Sequence, residues 1–183
     1  MKTMRTLRNQ RGFTLLETLI AMAVMSFGIL SVIAVYTQGL RTSAQGKIQF
    51  IAQAKAQAAM ETLFTARDTH ILSWAQINNV SQGGVFLDGP QPMLAPGPDG
   101  LIGTADDDVN HPDTIIVGPP GNDDIASTSG DQTLNLNPMM TRTILFTPVP
   151  GTLNLNQVTI TINYISQGQP SQFQLICYIS NYA

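Results

Sequence analysis

The sequence predicts an α+β fold in which one long N-terminal helix packs on a C-terminal antiparallel sheet. Three observations carry that expectation. An apolar run extends from Phe13 to Val35, an amphipathic pattern continues it to Arg67 without a proline, and period-two alternation returns in the last third of the chain. The 183 residues are 43% hydrophobic and 11% charged, which suits one ordinary domain plus an unusually apolar segment and excludes a disordered tail protein.

Phe13 to Val35 is a stretch of 23 residues with one charge, Glu17. At ~1.5 Å rise per residue it is long enough to cross ~30 Å of hydrocarbon. Lys2, Arg5, Arg8 and Arg11 precede it with no acid among them, so the positive-inside rule leaves residues 1–12 in the cytoplasm and carries the body across. A cleaved secretory signal fits less well. The run exceeds the ~7–15 residues of such a signal's apolar core, Glu17 lies within it, and Tyr36-Thr37-Gln38 offers no small-x-small cleavage site. Projected at 100° per residue, Leu40, Ala44, Ile48, Ile51, Ala52, Ala58 and Ala59 share one arc, interrupted by Lys55, while Gln45, Gln49, Gln53 and Gln57 run along the other side. A helix from Phe13 to Arg67 would be ~80 Å long. Sustained a/d leucines are absent, which disfavours a coiled coil.

Asp68 is positioned to cap a short second helix through Trp74 and Ile77, stopped by Asn78-Asn79. Residues 83–121 hold fifteen of the chain's Gly and Pro residues, leaving room only for a short strand such as Thr114 to Val117. Thr141 to Thr147 then reads as a strand. Val158, Ile160, Ile162 and Tyr164 alternate with Thr159, Thr161 and Asn163, which implies one buried face. After a turn at Gln167-Gly168-Gln169-Pro170, Phe173, Leu175, Cys177 and Ile179 alternate with Gln172 and Gln174, the pattern of an antiparallel hairpin.

Charge and chemistry narrow the function classes. Beyond Gly12 the chain has five cations against twelve acids, a net of −7, so nothing suggests an electrostatic footprint for nucleic acid. One cysteine, Cys177, permits neither an intrachain disulfide nor a cysteine-based zinc site, and its place in an alternating strand suits an apolar filler. His70 and His111 are the only histidines, and neither a GxSxG nor an HExxH motif occurs, so no catalytic residue is expected and the chain is read as a non-enzyme.

Arg11-Gly12-Phe13-Thr14-Leu15-Leu16-Glu17, with its basic leader and following apolar run, resembles the prepilin signature of type IV pilins and type II secretion pseudopilins. The likeness covers residues 1 to about 65 and is architectural beyond. It implies a pilin-like fold, cleavage by prepilin peptidase between Gly12 and Phe13, N-methylation of Phe13, and a role for Glu17 in assembly. A glycine before the cut leaves the chain free to unwind there. Gly28 with Ile29-Leu30-Ser31-Val32 is similar both to minor pilins of pili and to I-type minor pseudopilins, without separating them. The domains implied are a leader (1–12), a transmembrane and assembly half-helix (13–35), an amphipathic half-helix (36–67) and a periplasmic or extracellular globular domain (68–183). The resemblance further implies a bacterial inner-membrane location with a single pass. Its implied partners are other pilins or pseudopilins, the peptidase and an inner-membrane assembly platform. The alternative is a secreted or membrane-anchored binding module or enzyme that uses the N-terminus only for export.

No cofactor is required by this reading, with one exception. Asp99, Asp106, Asp107, Asp108 and Asp113 crowd a loop in which Gly100 and Gly103 permit tight turns, and such mutual repulsion favours an oxygen-ligated cation such as Ca²⁺. The run is no EF-hand. It resembles the calcium loop of major pseudopilins, with different spacing and flanks.

Overall fold

A computed structural model describes residues 14–117, 131–166 and 168–181. The chain divides into two compact units, residues 1–44 and 45–183. One helix, α1 (Leu15–Asp68), contributes to both. Residues 14–44 of the first unit present every side chain to the surroundings, as the apolar run requires of a segment with no protein core of its own.

In the second unit α1 buries Ile51, Ala52, Ala56, Ala59, Met60, Leu63 and Ala66, a set spaced three and four apart. The glutamines at 45, 49, 53 and 57 are exposed, as the periodicity implies. Ala58 is exposed too, contrary to the projected arc, and Ala56 takes the inward place because 52, 56, 59 and 63 complete the stripe. Four alanines in that stripe let the helix backbone approach the sheet closely. The second helix expected after Asp68 does not form. Asp68 is instead the last residue of α1, His70 follows with a left-handed φ of 56°, and the Leu72 N–H turns back to the Ala66 carbonyl. Only two single turns of 3₁₀-helix succeed it, Trp74–Gln76 and Val80–Gln82.

Eight strands follow: β1 (Gln91–Pro92), β2 (Leu94–Ala95), β3 (Asp108–Pro112), β4 (Thr114–Ile116), β5 (Thr133–Asn135), β6 (Met140–Pro148), β7 (Leu155–Ser166) and β8 (Gln169–Ser180). The main sheet runs β1-β6-β7-β8, all antiparallel, with β2-β3 and β4-β5 as separate pairs. β4 realises the short strand expected near Thr114, whereas β3 escaped the Gly and Pro pattern. The β7–β8 register is unbroken from Leu155↔Ser180 to Ser166↔Gln169. The turn is therefore tighter than expected, with Gln169 and Pro170 already in the ladder. Proline is tolerated there because β8 is an edge strand.

Inward residues of β6 (Met140, Arg142, Ile144, Phe146) and β7 (Val158, Ile160, Ile162, Tyr164) form the core with the α1 stripe, Phe86 and Met93. The Phe86 and Phe146 rings meet at 5.1 Å with a 40° tilt. β1 covers only Arg142 and Thr141 on the outer edge of β6. Farther along that edge the buried Asn79 amide substitutes for a strand, donating to the Ile144 carbonyl at 2.8 Å and accepting from the Phe146 N–H at 2.9 Å. Gln82 donates to the Phe146 carbonyl at 3.1 Å. Backbone groups that would otherwise lack partners are thus satisfied by side chains.

Candidate functional site

The start of α1 is built by a capping arrangement. Thr14 precedes the first helical residue, and its hydroxyl accepts from the Glu17 N–H at 3.3 Å while its carbonyl accepts from the Thr18 N–H at 3.2 Å. Thr14-x-x-Glu17 has the sequence form of a capping box, a signal legible in the sequence that the assembly reading of Glu17 obscured. Glu17 lies in the first turn, where a carboxylate meets the positive end of the helix dipole. Gly12 and Phe13 lie outside the described residues. Along the apolar helix, the Thr18, Ser26, Ser31 and Thr37 hydroxyls donate to the carbonyls of Leu15, Met22, Phe27 and Ile33, at 2.8, 2.8, 2.8 and 2.5 Å. No Ser or Thr hydroxyl between residues 15 and 37 is left without an internal acceptor, which is what a hydrocarbon environment demands.

These features belong to a stretch that known proteins share. Residues 7–33 match the family model described as the prokaryotic N-terminal methylation motif. The chain carries a prepilin-type N-terminal signature. The matched stretch spans the basic leader, the Gly12-Phe13 junction, Glu17 and most of the apolar run, and α1 is long and apolar enough to cross a membrane. No curated protein and no solved structure matches the chain. The prepilin-type segment is thus joined to a domain for which the coordinates alone speak.

In that domain the five acidic residues do not converge. The loop does fold back, because Gly97 lets the backbone pass where a Cβ would run into the Asp106 carbonyl, and Gly103 adopts a φ of 86°. This brings Asp106 to the Asp99 N–H at 3.3 Å, while the Asp99 carboxylate accepts from the Leu101 N–H at 2.8 Å. The other three carboxylates turn elsewhere. Asp107 is buried and accepts from the Gly103 N–H at 2.9 Å, Asp108 meets His111 Nδ1 at 2.6 Å, and Asp113 pairs with Lys55 of α1 at 2.6 Å. Among the described residues no group of three or more His, Cys, Asp or Glu stands where it could hold one metal ion. The five-carboxylate calcium site expected from the sequence is not gathered in one place, because fixed N–H groups and cations draw its members apart.

The electrostatics follow from these partners. The Thr104 hydroxyl, at 2.8 Å, holds the Asp106 carboxyl below the usual carboxylate value, and the Asn110 N–H does the same for Asp108, helped by His111. Burial pushes Asp107 up, outweighing its N–H donors and Arg142. Arg142 itself is 1% exposed, with Nη2 at 3.8 Å from Asp107 Oδ2 and none of its three nitrogens hydrogen-bonded; burial lowers its pKa. The strand alternation Met140, Arg142, Ile144, Phe146 already places this arginine on the inward face, so the sequence held the signal. Cys177 lies against the Met60 thioether, and burial pushes its thiol up to about 11, so it is protonated and unreactive at neutral pH.

Proposed function

We propose that this chain is a structural, non-enzymatic subunit, a minor pilin or pseudopilin, cut by prepilin peptidase after Gly12 and assembled with related subunits into a type IV pilus or type II secretion pseudopilus. The observation that carries the reading is the methylation motif at residues 7–33, continuous with a helix able to span a membrane. In this reading the leader stays in the cytoplasm, residues 13–35 rest in the inner membrane, and residues 68–183 are displayed beyond it.

The first described residues support a division of labour at the new terminus. Cleavage after Gly12 would leave the methylated Phe13 amine one residue ahead of the Thr14 cap, at the positive end of the helix dipole, where a cation is unfavourable. Glu17, three residues past the cap, offsets that charge, or it offsets the amine of a neighbouring subunit during assembly. One acid thus serves helix initiation and subunit registration.

Mass measurement of the mature N-terminus in cells containing the peptidase tests the reading. A terminus at Phe13 carrying one methyl group is the expected result, with Gly12→Val leaving full-length precursor in the membrane because a branched side chain obstructs the scissile segment. A terminus beyond Val35, or normal processing of Gly12→Val, overturns it in favour of an export signal.

A further inference from the structure

The two edges of the main sheet are finished differently. The β6 side is closed by β1, Asn79 and Gln82, whereas β8 pairs with β7 alone among the described residues. β8 is twelve residues long and its pairing with β7 is free of bulges. Residues 143–183 contain no Asp, Glu, Lys or Arg. Natural sheets blunt such edges with charges, bulges or short strands, and apart from Pro170 at its start this one uses none of them.

The core is also unfinished at this edge. Ile162, Ile160 and Val158 on β7 are fully buried, yet their β8 partners Phe173, Leu175 and Cys177 are only half covered. On the opposite face Ile176 and Tyr178 are 50% and 57% exposed, beside Gln172 and Gln174. One more strand beside β8 would cover both faces.

Charge selects the occupant. Beyond Gly12 the chain has a net charge of −7, and the acids lie outside the 143–183 stretch, so two copies approach without like-charge repulsion only across this neutral edge. We propose that β8 is a self-association surface: it pairs antiparallel with β8 of a second copy, Leu175 opposite Leu175, continuing the sheet across a twofold axis. This register keeps inward residues facing inward. It sets Phe173 opposite the second copy's Cys177 within a shared core, and Gln174 opposite Ile176 on the outer face. A twofold contact of this kind closes on itself. It uses no residue of the N-terminal segment and does not depend on the assembly reading above.

The test is sedimentation of the full chain in detergent micelles, for the wild type, Gln174→Lys/Ile176→Lys and Gln174→Glu/Ile176→Glu. Both positions are exposed, so the three proteins should share one melting temperature. The wild type should form dimers. Each doubly charged variant should dissociate at least about tenfold more readily, because the pairing sets like charges opposite one another twice. Mixing the two variants should restore dimers, since opposite charges then face across the edge. A monomeric wild type, charged variants that dimerise as the wild type does, or a mixture that stays monomeric overturns the proposal. Dimers formed through the N-terminal helices would give the second of these results.

Discussion

At the scale of single residues, two charges in apolar surroundings carry most of what is distinctive. Glu17 interrupts an otherwise uncharged helical run and meets its positive end. Replacing it with leucine removes an acid that is costly in hydrocarbon, so membrane insertion and cleavage should persist while incorporation into fibres falls. Incorporation of Glu17→Leu at the wild-type level, read by quantifying sheared fibres, would remove the registration role. Arg142 poses the opposite problem, a buried cation whose one charged neighbour stands at 3.8 Å. Asp107→Ala should cost about 3–5 kcal/mol in denaturant unfolding, because it leaves the guanidinium buried and uncompensated. Asp107→Ala with Arg142→Met should recover most of that loss, since an apolar side chain of similar length suits the core. If the double variant is no more stable than the single one, the cost lies in the loop's hydrogen bonds to Gly103 and Thr104 and not in the charge.

At the scale of elements, the loop between β2 and β3 shows how a composition signal misleads. Five aspartates within fifteen residues looked like an oxygen cage, yet each carboxylate has a donor of its own, and two of the five reach outside the loop to Lys55 on α1 and Arg142 on β6. The loop thereby fastens the β2–β5 region to helix and sheet without a cation. Melting of the protein should therefore be the same in millimolar Ca²⁺ and in EDTA, whereas a cation binding at an ordinary extracellular affinity of ~10⁻⁴ to 10⁻³ M would raise it. A Ca²⁺-dependent rise abolished by Asp106→Ala would show that Asp99 and Asp106 suffice as ligands. The β7–β8 hairpin is the reverse case. Its alternation was readable because one face is buried, and a slip of one residue would expose Val158, Ile160 and Ile162 together.

At the scale of the whole molecule, the residues of the core all fall between Ile51 and Ile179, inside the second compact unit. Removing residues 1–44 should therefore change unfolding stability by less than about 1 kcal/mol, measured by urea titration of the truncated chain beside the full one. A larger loss would mean that the N-terminal segment supports the domain. The sequence by itself determined the features that depend on neighbours in the chain: the apolar run, the prepilin-type signature, the amphipathic stripe and the period-two hairpin. Each of these is a local pattern repeated with the period of its own element. It did not determine where α1 ends, because His70 turns left-handed while Leu72 reaches back to Ala66. Nor did it determine that Asn79, readable as a helix stop, is a buried substitute for a strand, or that Asp107 and Asp113 answer to Arg142 and Lys55. Those pairings join residues 35 to 67 positions apart, and only the packing of helix, loop and sheet decides which buried donor meets which acceptor.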